Sequence, residues 1–474
     1  MIEMMPASET RILDANAEAL GTDLCTLMGN AGNALVKVLK QYSGKKFLFV
    51  CGTGNNGGDG FAAAGLMKDE DVTVCLMKPE TSIRSDISRK YFSALNCPVI
   101  MFDDLVPERY NVLVDCGLGT GTKGSIKSPY DNFIKISKTF KGTIISADIP
   151  TGLGCDMQVK PDITVSFQYP KTGMTEENSG EIVVADIGIP EDALRIVGPG
   201  DMLRYPVPRS DSHKGCNGRV MIVGGGPYIG APAMSGLSAL RVGADIVNIA
   251  TPEGIAGTVA SFSPVFTFHP LADDGGNSRN ILLPSHVPEL LKFSVDYDTV
   301  LIGPGLGTDE DTLSAVRMFV SGCGVPMVID ADGITAVESG FKASVPIVFT
   351  PHKREFERLG RKFRNADDVA DIAKSLNAVI LLKGKEDIIS DGKHTRMNRT
   401  GNPAMTVAGT GDVLAGIVAG LLSKGLSAFD AACLGAYICG KAGDRGFESH
   451  SYGMIATDVI DEIPNVLKEG LSKQ

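Results

Sequence analysis

The side chains most able to do chemistry in the first half of this chain sit in short oxygen-rich loops between apolar runs. Asn55-Asn56-Gly57-Gly58-Asp59 follows Phe47-Leu48-Phe49-Val50-Cys51 and leads into Phe61-Ala62-Ala63-Ala64. A strand, a glycine loop and a helix start create an anion site, because glycine lets backbone N–H groups approach a phosphate and the helix N-terminus favours negative charge. The spacing is neither Gly-x-Gly-x-x-Gly nor a P-loop, so neither standard nucleotide motif accounts for it. Two more apolar runs end in carboxylates, at Val114-Asp115-Cys116-Gly117 and at Ser146-Ala147-Asp148-Ile149-Pro150-Thr151-Gly152. Asn, Asp and Thr oxygens gathered at neighbouring strand ends can enclose a hard cation as well as a ligand. Each loop also has a plain structural reading, as an Asn or Asp turn, with Asp148 starting the turn before Pro150.

The second half has its own set. Ala408-Gly409-Thr410-Gly411-Asp412 opens the apolar stretch Val413-Leu414-Ala415. That arrangement points free N–H groups and the positive helix end at a phosphate, with the Asp412 carboxylate beside it as a base. A Gly-x-Gly-Asp turn of this form occurs in ribokinase-type kinases, where the amides stabilise phosphoryl charge and the Asp takes a hydroxyl proton. The simpler alternative is an Asp that caps a helix. Gly303-Pro304-Gly305-Leu306-Gly307, Thr350-Pro351-His352 and Leu382-Lys383-Gly384-Lys385 each follow an apolar run and add candidates at strand ends. A lone His such as His352 is by itself more often structural than functional. Asp330-Ala331-Asp332 has two readings, a helix cap and a contact to a ligand's ring.

These loops need a scaffold that brings strand ends together. Apolar runs alternate with helical patterns, which predicts an α/β fold of parallel sheets covered by helices. Strands are expected at Lys46–Cys51, Val72–Met77, Asn111–Asp115 and Thr143–Ala147, and then at Arg219–Val223, Asp245–Ile249, Thr299–Ile302, Pro326–Ile329, Pro346–Phe349 and Ala378–Leu382. A chain of 474 residues exceeds one ordinary core. Tyr205-Pro206-Val207-Pro208-Arg209-Ser210-Asp211-Ser212 reads as the linker, which gives domains 1–205 and 206–474. The net charge of -11 disfavours nucleic acid and anionic membranes as partners. Ten Cys without a Cys-x-x-Cys pair suit reduced thiols in the cytoplasm better than zinc or disulfides. The opening residues Met1–Thr10 do not read as a signal peptide, and the apolar stretch Ala404–Leu422 is broken by Asp412 and four glycines.

Taken together, Asn55–Asp59, Asp115–Gly124 and Asp148-Ile149-Pro150-Thr151-Gly152, with Thr10–Asp14 and Leu27–Gly32 before them, resemble the epimerase domain of NAD(P)H-hydrate repair proteins over about residues 1–205. The second set, with Ser212-His213-Lys214-Gly215 and Gly230-Ala231-Pro232, resembles the ADP/ATP-dependent NAD(P)H-hydrate dehydratase domain over about residues 206–470. The resemblance implies a Rossmann-like doubly wound domain followed by a ribokinase-like one. It implies a potassium ion on Asn56, Asp115 and Thr151. It also implies contacts from Asn55, Asn56, Gly57, Gly58, Asp59, from Gly119, Thr120, Gly121, Thr122, Lys123, Gly124, Ser125 and from Asp148 to hydrated NADH or NADPH. Asp148 is the expected proton-transfer group of the epimerase, because C6 epimerisation needs a base or acid beside the hydroxyl-bearing carbon. In the second domain, Ala231, Gly305, His352 and Asp412 would contact the hydrated cofactor, with Asp412 as base. Lys383, Gly384, Lys385, Glu386, Asp387, Gly409, Thr410 and Gly411 would bind ADP or ATP, with Mg2+ as the accompanying ion. One departure from the family pattern follows His352, where Lys353-Arg354-Glu355 replaces the usual Pro-Gly-Glu. The expected function is repair of hydrated NADH and NADPH by a homo-oligomer. The alternative is a ribokinase-like small-molecule kinase fused to a non-catalytic ligand-binding domain.

Overall fold

The computed structural model describes residues 4–272, 279–338 and 340–472, so Glu3 of the opening segment lies outside the described residues. The chain divides into two compact units, Met1–Ala193 and Leu194–Gln474. The first is built on seven strands: β1 Lys46–Cys51, β2 Asp71–Leu76, β3 Val99–Met101, β4 Val112–Cys116, β5 Thr143–Ala147, β6 Ile163–Phe167 and β7 Glu181–Ala185. All pair in parallel, in the order β3-β2-β1-β4-β5-β6-β7. Phe47 to Cys51 is fully buried, as expected of a central strand covered by helices on both faces. The order reverses direction between β1 and β4, which places the crevice of this doubly wound sheet beyond the C-terminal ends of those two strands.

In the second unit the strands are β8 Ile196–Val197, β9 Arg219–Val223, β10 Ile246–Pro252, β11 Thr267–Leu271, β12 Thr299–Ile302, β13 Met327–Ile329, β14 Ile347–Phe349, β15 Val379–Leu382, β16 Asp387–Ser390 and β17 Thr395–Asn398. Their order is β11-β10-β9-β12-β13-β14-β15-β16-β17-β8, parallel as far as β15 and antiparallel through β16 and β17. The switch point here falls between β9 and β12. The helices Ala231–Arg241 and Thr410–Ser423 pack on this sheet within one apolar core.

The sequence-based domain boundary needs correction. Residues 194–205 belong to the second unit, not the first. β8 pairs with β17, Ile196 beside Met397 and Val197 beside Asn398. The buried Asp201 carboxylate accepts the Arg396 guanidinium at 2.5 and 2.9 Å, and the Tyr205 hydroxyl donates to Val242 O at 2.9 Å. The proline-rich segment 206–209 is irregular as expected, but it is a loop within the second unit. All ten cysteines are free thiols. Among the described residues no helix is long and apolar enough to cross a membrane.

Candidate active sites

In the first unit the helix Asn55–Leu66 starts three residues after β1. It can do so because a Cβ on Gly57 would stand 2.0 Å from Gly52 O, so glycine alone lets the helix turn back onto its loop. Asn56 is buried there. Its Nδ2 donates to Leu118 O at 3.4 Å, whereas its Oδ1 is buried with no hydrogen-bond partner. Gly119 lies directly beside it, since a Cβ there would be 3.3 Å from Asn56 Cβ. Asp115, at the end of β4, is fully buried. It accepts from Ser146 Oγ at 2.9 Å, Thr151 N at 2.8 Å, Thr151 Oγ1 at 2.6 Å and Gly117 N at 3.2 Å. Burial pushes its carboxyl above the usual range, and these four donors oppose the shift. Thr151 Oγ1 also accepts from Leu118 N at 2.8 Å, which ties the β4 and β5 loops together. The sequence-predicted residues Asn56, Asp115, Thr151 and Gly119 are therefore neighbours, and the remaining residues 120–125 run over the surface at the end of β4.

Asp148, just past β5, has φ 61°, an uncommon backbone setting for a residue with a side chain. Its Oδ1 accepts from Phe167 N at 3.1 Å and forms a very short ion pair with Lys171 Nζ. Lys171 was not singled out from sequence, although it is 3% exposed and also donates to Phe167 O at 2.9 Å. Two further carboxylates share the electrostatic field of this pair. Asp14 is pushed up to about 6 by burial and by Asp148, and Lys171 opposes the shift. Asp59 is raised well above the usual range by burial, Asp148 and Asp14. The available signal for Lys171 was a lysine in Tyr169-Pro170-Lys171, shortly after the alternating run Ile163-Thr164-Val165-Ser166-Phe167, another strand end on the same edge.

In the second unit, Gly305 (φ 72°) follows β12, and a Cβ on it would meet Tyr228 O at 2.2 Å and Ala231 Cβ at 3.3 Å, so the predicted Gly305 and Ala231 adjoin. The helix Thr410–Ser423 begins at Gly409 (φ 98°), in a left-handed turn that suits glycine. Asp412 lies in its first turn. Burial and the nearby Asp330 push the Asp412 carboxyl up to about 7, Lys383 opposes this, and Asp332 adds to it. Lys383 Nζ donates to Asp330 Oδ1 at 2.9 Å, and Thr350 Oγ1 donates to the same oxygen at 2.7 Å. A Cβ on Gly411 would lie 3.4 Å from Lys383 Nζ, so the ammonium stands at the helix start. Lys383 to Glu386 form the turn between β15 and β16, closed by Gly384 N donating to Asp387 Oδ1 at 3.1 Å. Asn398 holds the other Asp387 oxygen at 3.0 Å. His352 stands at the end of β14 beside Lys383. Its Nδ1 accepts from Glu355 N at 3.1 Å while Glu355 Oε2 accepts from His352 N at 2.8 Å, a reciprocal cap on the helix Lys353–Arg358. That cap explains why the loop keeps its Glu despite the altered residues between.

Comparison with known proteins settles the family. The pattern of the NAD(P)H-hydrate dehydratase family matches residues 220–465, and that of the YjeF-related protein N-terminus matches residues 24–173. A bifunctional NAD(P)H-hydrate repair enzyme from Archaeoglobus fulgidus is 38% identical over 98% of this chain and 99% of its own. The chain belongs to the bifunctional NAD(P)H-hydrate repair enzyme family. A second member, from Methanothermobacter thermautotrophicus, is 37% identical over 96% of this chain and 94% of its own. Among solved structures, the ADP/ATP-dependent NAD(P)H-hydrate dehydratase of Bacillus subtilis, co-crystallised with ATP/Mg2+, is 25% identical. It covers 58% of this chain and 99% of its own, with TM-score 0.50. The dehydratase unit of this repair enzyme family is ribokinase-like, the epimerase unit is Rossmann-like, and the alternative of a ribokinase-like small-molecule kinase fused to a non-catalytic ligand-binding domain is not favoured.

Proposed function

We propose that the first unit inverts C6 of hydrated NADH and NADPH through Asp148, and that the second dehydrates one epimer with Asp412 as base at the expense of ADP or ATP. In the first reaction the C6 hydroxyl proton passes to Asp148 and C6–O becomes a carbonyl. The C6–N1 bond breaks with its electron pair on N1, which takes a proton from water, and reclosure on the opposite face of C6 reverses each transfer. In the second, Asp412 takes the hydroxyl proton as the oxygen attacks the terminal phosphoryl group, whose bridging P–O bond breaks to release ADP from ATP or AMP from ADP. The N1 lone pair then expels phosphate from C6, and loss of a C5 proton restores the reduced ring. The free N–H groups at Gly409–Gly411 and the Lys383 ammonium face the transferring phosphoryl charge.

The observation that carries this reading is the place of Asp412, in the first turn of a helix that opens on a glycine turn, where burial and Asp330 push its carboxyl up to about 7. A base is most useful when its pKa lies close to the working pH. The residues also fit a potassium ion in the first unit, because Asn56 Oδ1 is a buried oxygen without a donor, close to the oxygens of Asp115 and Thr151. Such an ion supplies fixed positive charge next to an anionic dinucleotide. Among the described residues no group of three or more His, Cys, Asp or Glu could hold a metal, so a magnesium ion would be carried largely by the nucleotide's own phosphates. The deciding experiment gives the protein enzymatically hydrated NADH with ATP or ADP and follows the absorbance of the reduced nicotinamide. Recovery of absorbance with release of inorganic phosphate is expected, and a stable phosphorylated product would sink the dehydratase reading.

A further inference from the structure

Lys171 is a buried cation that the proton transfers above do not use. Its ammonium makes three contacts, to Asp148 Oδ1, to Phe167 O at 2.9 Å and to Ser166 Oγ at 3.3 Å. The chain on either side of it is stitched to the amino-terminal segment, with Met5 N donating to Pro170 O and Thr172 N donating to Met5 O, both at 2.9 Å. Lys171 is thus fixed by its backbone as well as by its side chain. Both donors to Asp148 engage Oδ1, which leaves Oδ2 clear of them.

We infer that Lys171 is a positioning residue for epimerisation, which aims Asp148 through Oδ1 and supplies positive charge among the Asp14, Asp59 and Asp148 carboxylates. This rests on Asp148 being the proton-transfer group. The physical requirement is plain, since like charges crowded at one site cannot all ionise unless a cation offsets them. The fields agree with the geometry. Asp14 and Asp59, both raised first by burial, are each raised further by Asp148 and lowered by Lys171. A lysine serves here where a hydrogen-bond donor alone would not, because removing one partner of a buried ion pair leaves an uncompensated charge.

The test uses the full chain and measures interconversion of the two epimers without nucleotide across a pH series, with dehydratase activity as the check that the protein is intact. Lys171→Met should lower kcat for epimerisation about 10- to 100-fold with little change in KM. Its acid limb should move up by about one pH unit, because the cation opposing protonation is gone. Lys171→Ala should regain part of its rate, and the original limb, when propylammonium is added to fill the vacated volume. Lys171→Arg, which keeps the charge, should retain the wild-type limb at reduced rate. A Lys171→Met protein with the wild-type limb and kcat would overturn the inference. So would a Lys171→Ala protein that folds and regains nothing with propylammonium. Asp148→Asn separates the two claims: if it epimerises normally the assignment of Asp148 fails, whereas its inactivity beside an unaltered Lys171→Met disposes of the Lys171 role alone.

Discussion

Both units set a carboxylate and a lysine at the C-terminal edge of a parallel sheet, yet the two pairs are wired differently. In the first, Lys171 lies directly on Asp148. In the second, Lys383 lies on Asp330 instead, and Asp412 stands apart with its carboxyl pushed up to about 7 by burial and by that same Asp330. A lysine captured by a second carboxylate no longer fully offsets the first. The arrangement suits the chemistry proposed for each site. Inversion at C6 is symmetrical, so its group must release a proton as readily as it takes one, whereas attack on a phosphoryl group calls for a stronger base at neutral pH.

The largest effect expected from breaking this comparison is at Asp412. Asp412→Asn removes the base but leaves the helix start and Lys383 in place, so nucleotide-dependent recovery of NADH should fall by roughly 10²–10⁴-fold. Epimerisation by the other unit should be unchanged. Near-normal dehydration by this variant would refute the assigned mechanism.

The next test separates the units. A chain beginning at Pro206 would lack β8, the Asp201 partner of Arg396, and the core residues Met202 and Tyr205. Arg396 would then be a buried cation without its carboxylate, a loss on the order of 3–5 kcal/mol. A chain beginning at Leu194 should therefore melt about 5–15 °C above one beginning at Pro206. It should dehydrate only one epimer, while residues 1–193 should equilibrate both. Equal melting temperatures for the two versions would show that residues 194–205 add nothing to the second unit.

How much of this was legible in sequence follows from what each strand buries. β1, β5, β9 and β12 have the bounds read from their apolar runs, because both faces of each are covered and each holds consecutive apolar residues, Phe47–Cys51, Ile144-Ile145, Val220–Val223 and Val300–Ile302. β16 and β17 were missed because Asp387, Arg396 and Asn398 break the pattern. Two of those polar side chains are satisfied by partners far along the chain, Asp201 for Arg396 and Ala436 O for Asn398, while Asp387 accepts from Gly384 N and Asn398 close by. The same distinction governs the sites. Asp115, Asp148 and Asp412 were visible as carboxylates at strand or helix ends. Lys171 follows β6, whose Thr164 and Ser166 hid it as a strand. The engagement of Lys383 by Asp330 depends on β13 and β15 flanking β14, a register that no local pattern reveals.

A smaller effect is expected at the proposed potassium site. Asn56→Ala removes the unpartnered oxygen and only one hydrogen bond, of 3.4 Å, so folding should be little affected. The potassium concentration for half-maximal epimerisation should rise about 10- to 100-fold. Identical potassium dependence in the variant and the wild type would remove Asn56 from the site.

The finest test is the pH limb of dehydration. Asp412 at about 7 must be deprotonated to act, so kcat/KM should climb as pH rises through that value. Asp330→Asn changes two influences in the same direction. It removes a negative charge that raises Asp412, and it frees Lys383, which lowers Asp412, from its 2.9 Å ion pair. The limb should therefore move down by about one pH unit. Thr350 can still donate to the Asn oxygen, so the strand end should keep its shape. If the limb stays near 7 in Asp330→Asn while the variant remains folded and binds nucleotide, burial alone sets the basicity of Asp412. The contrast between the two lysine–carboxylate pairs would then have no bearing on catalysis.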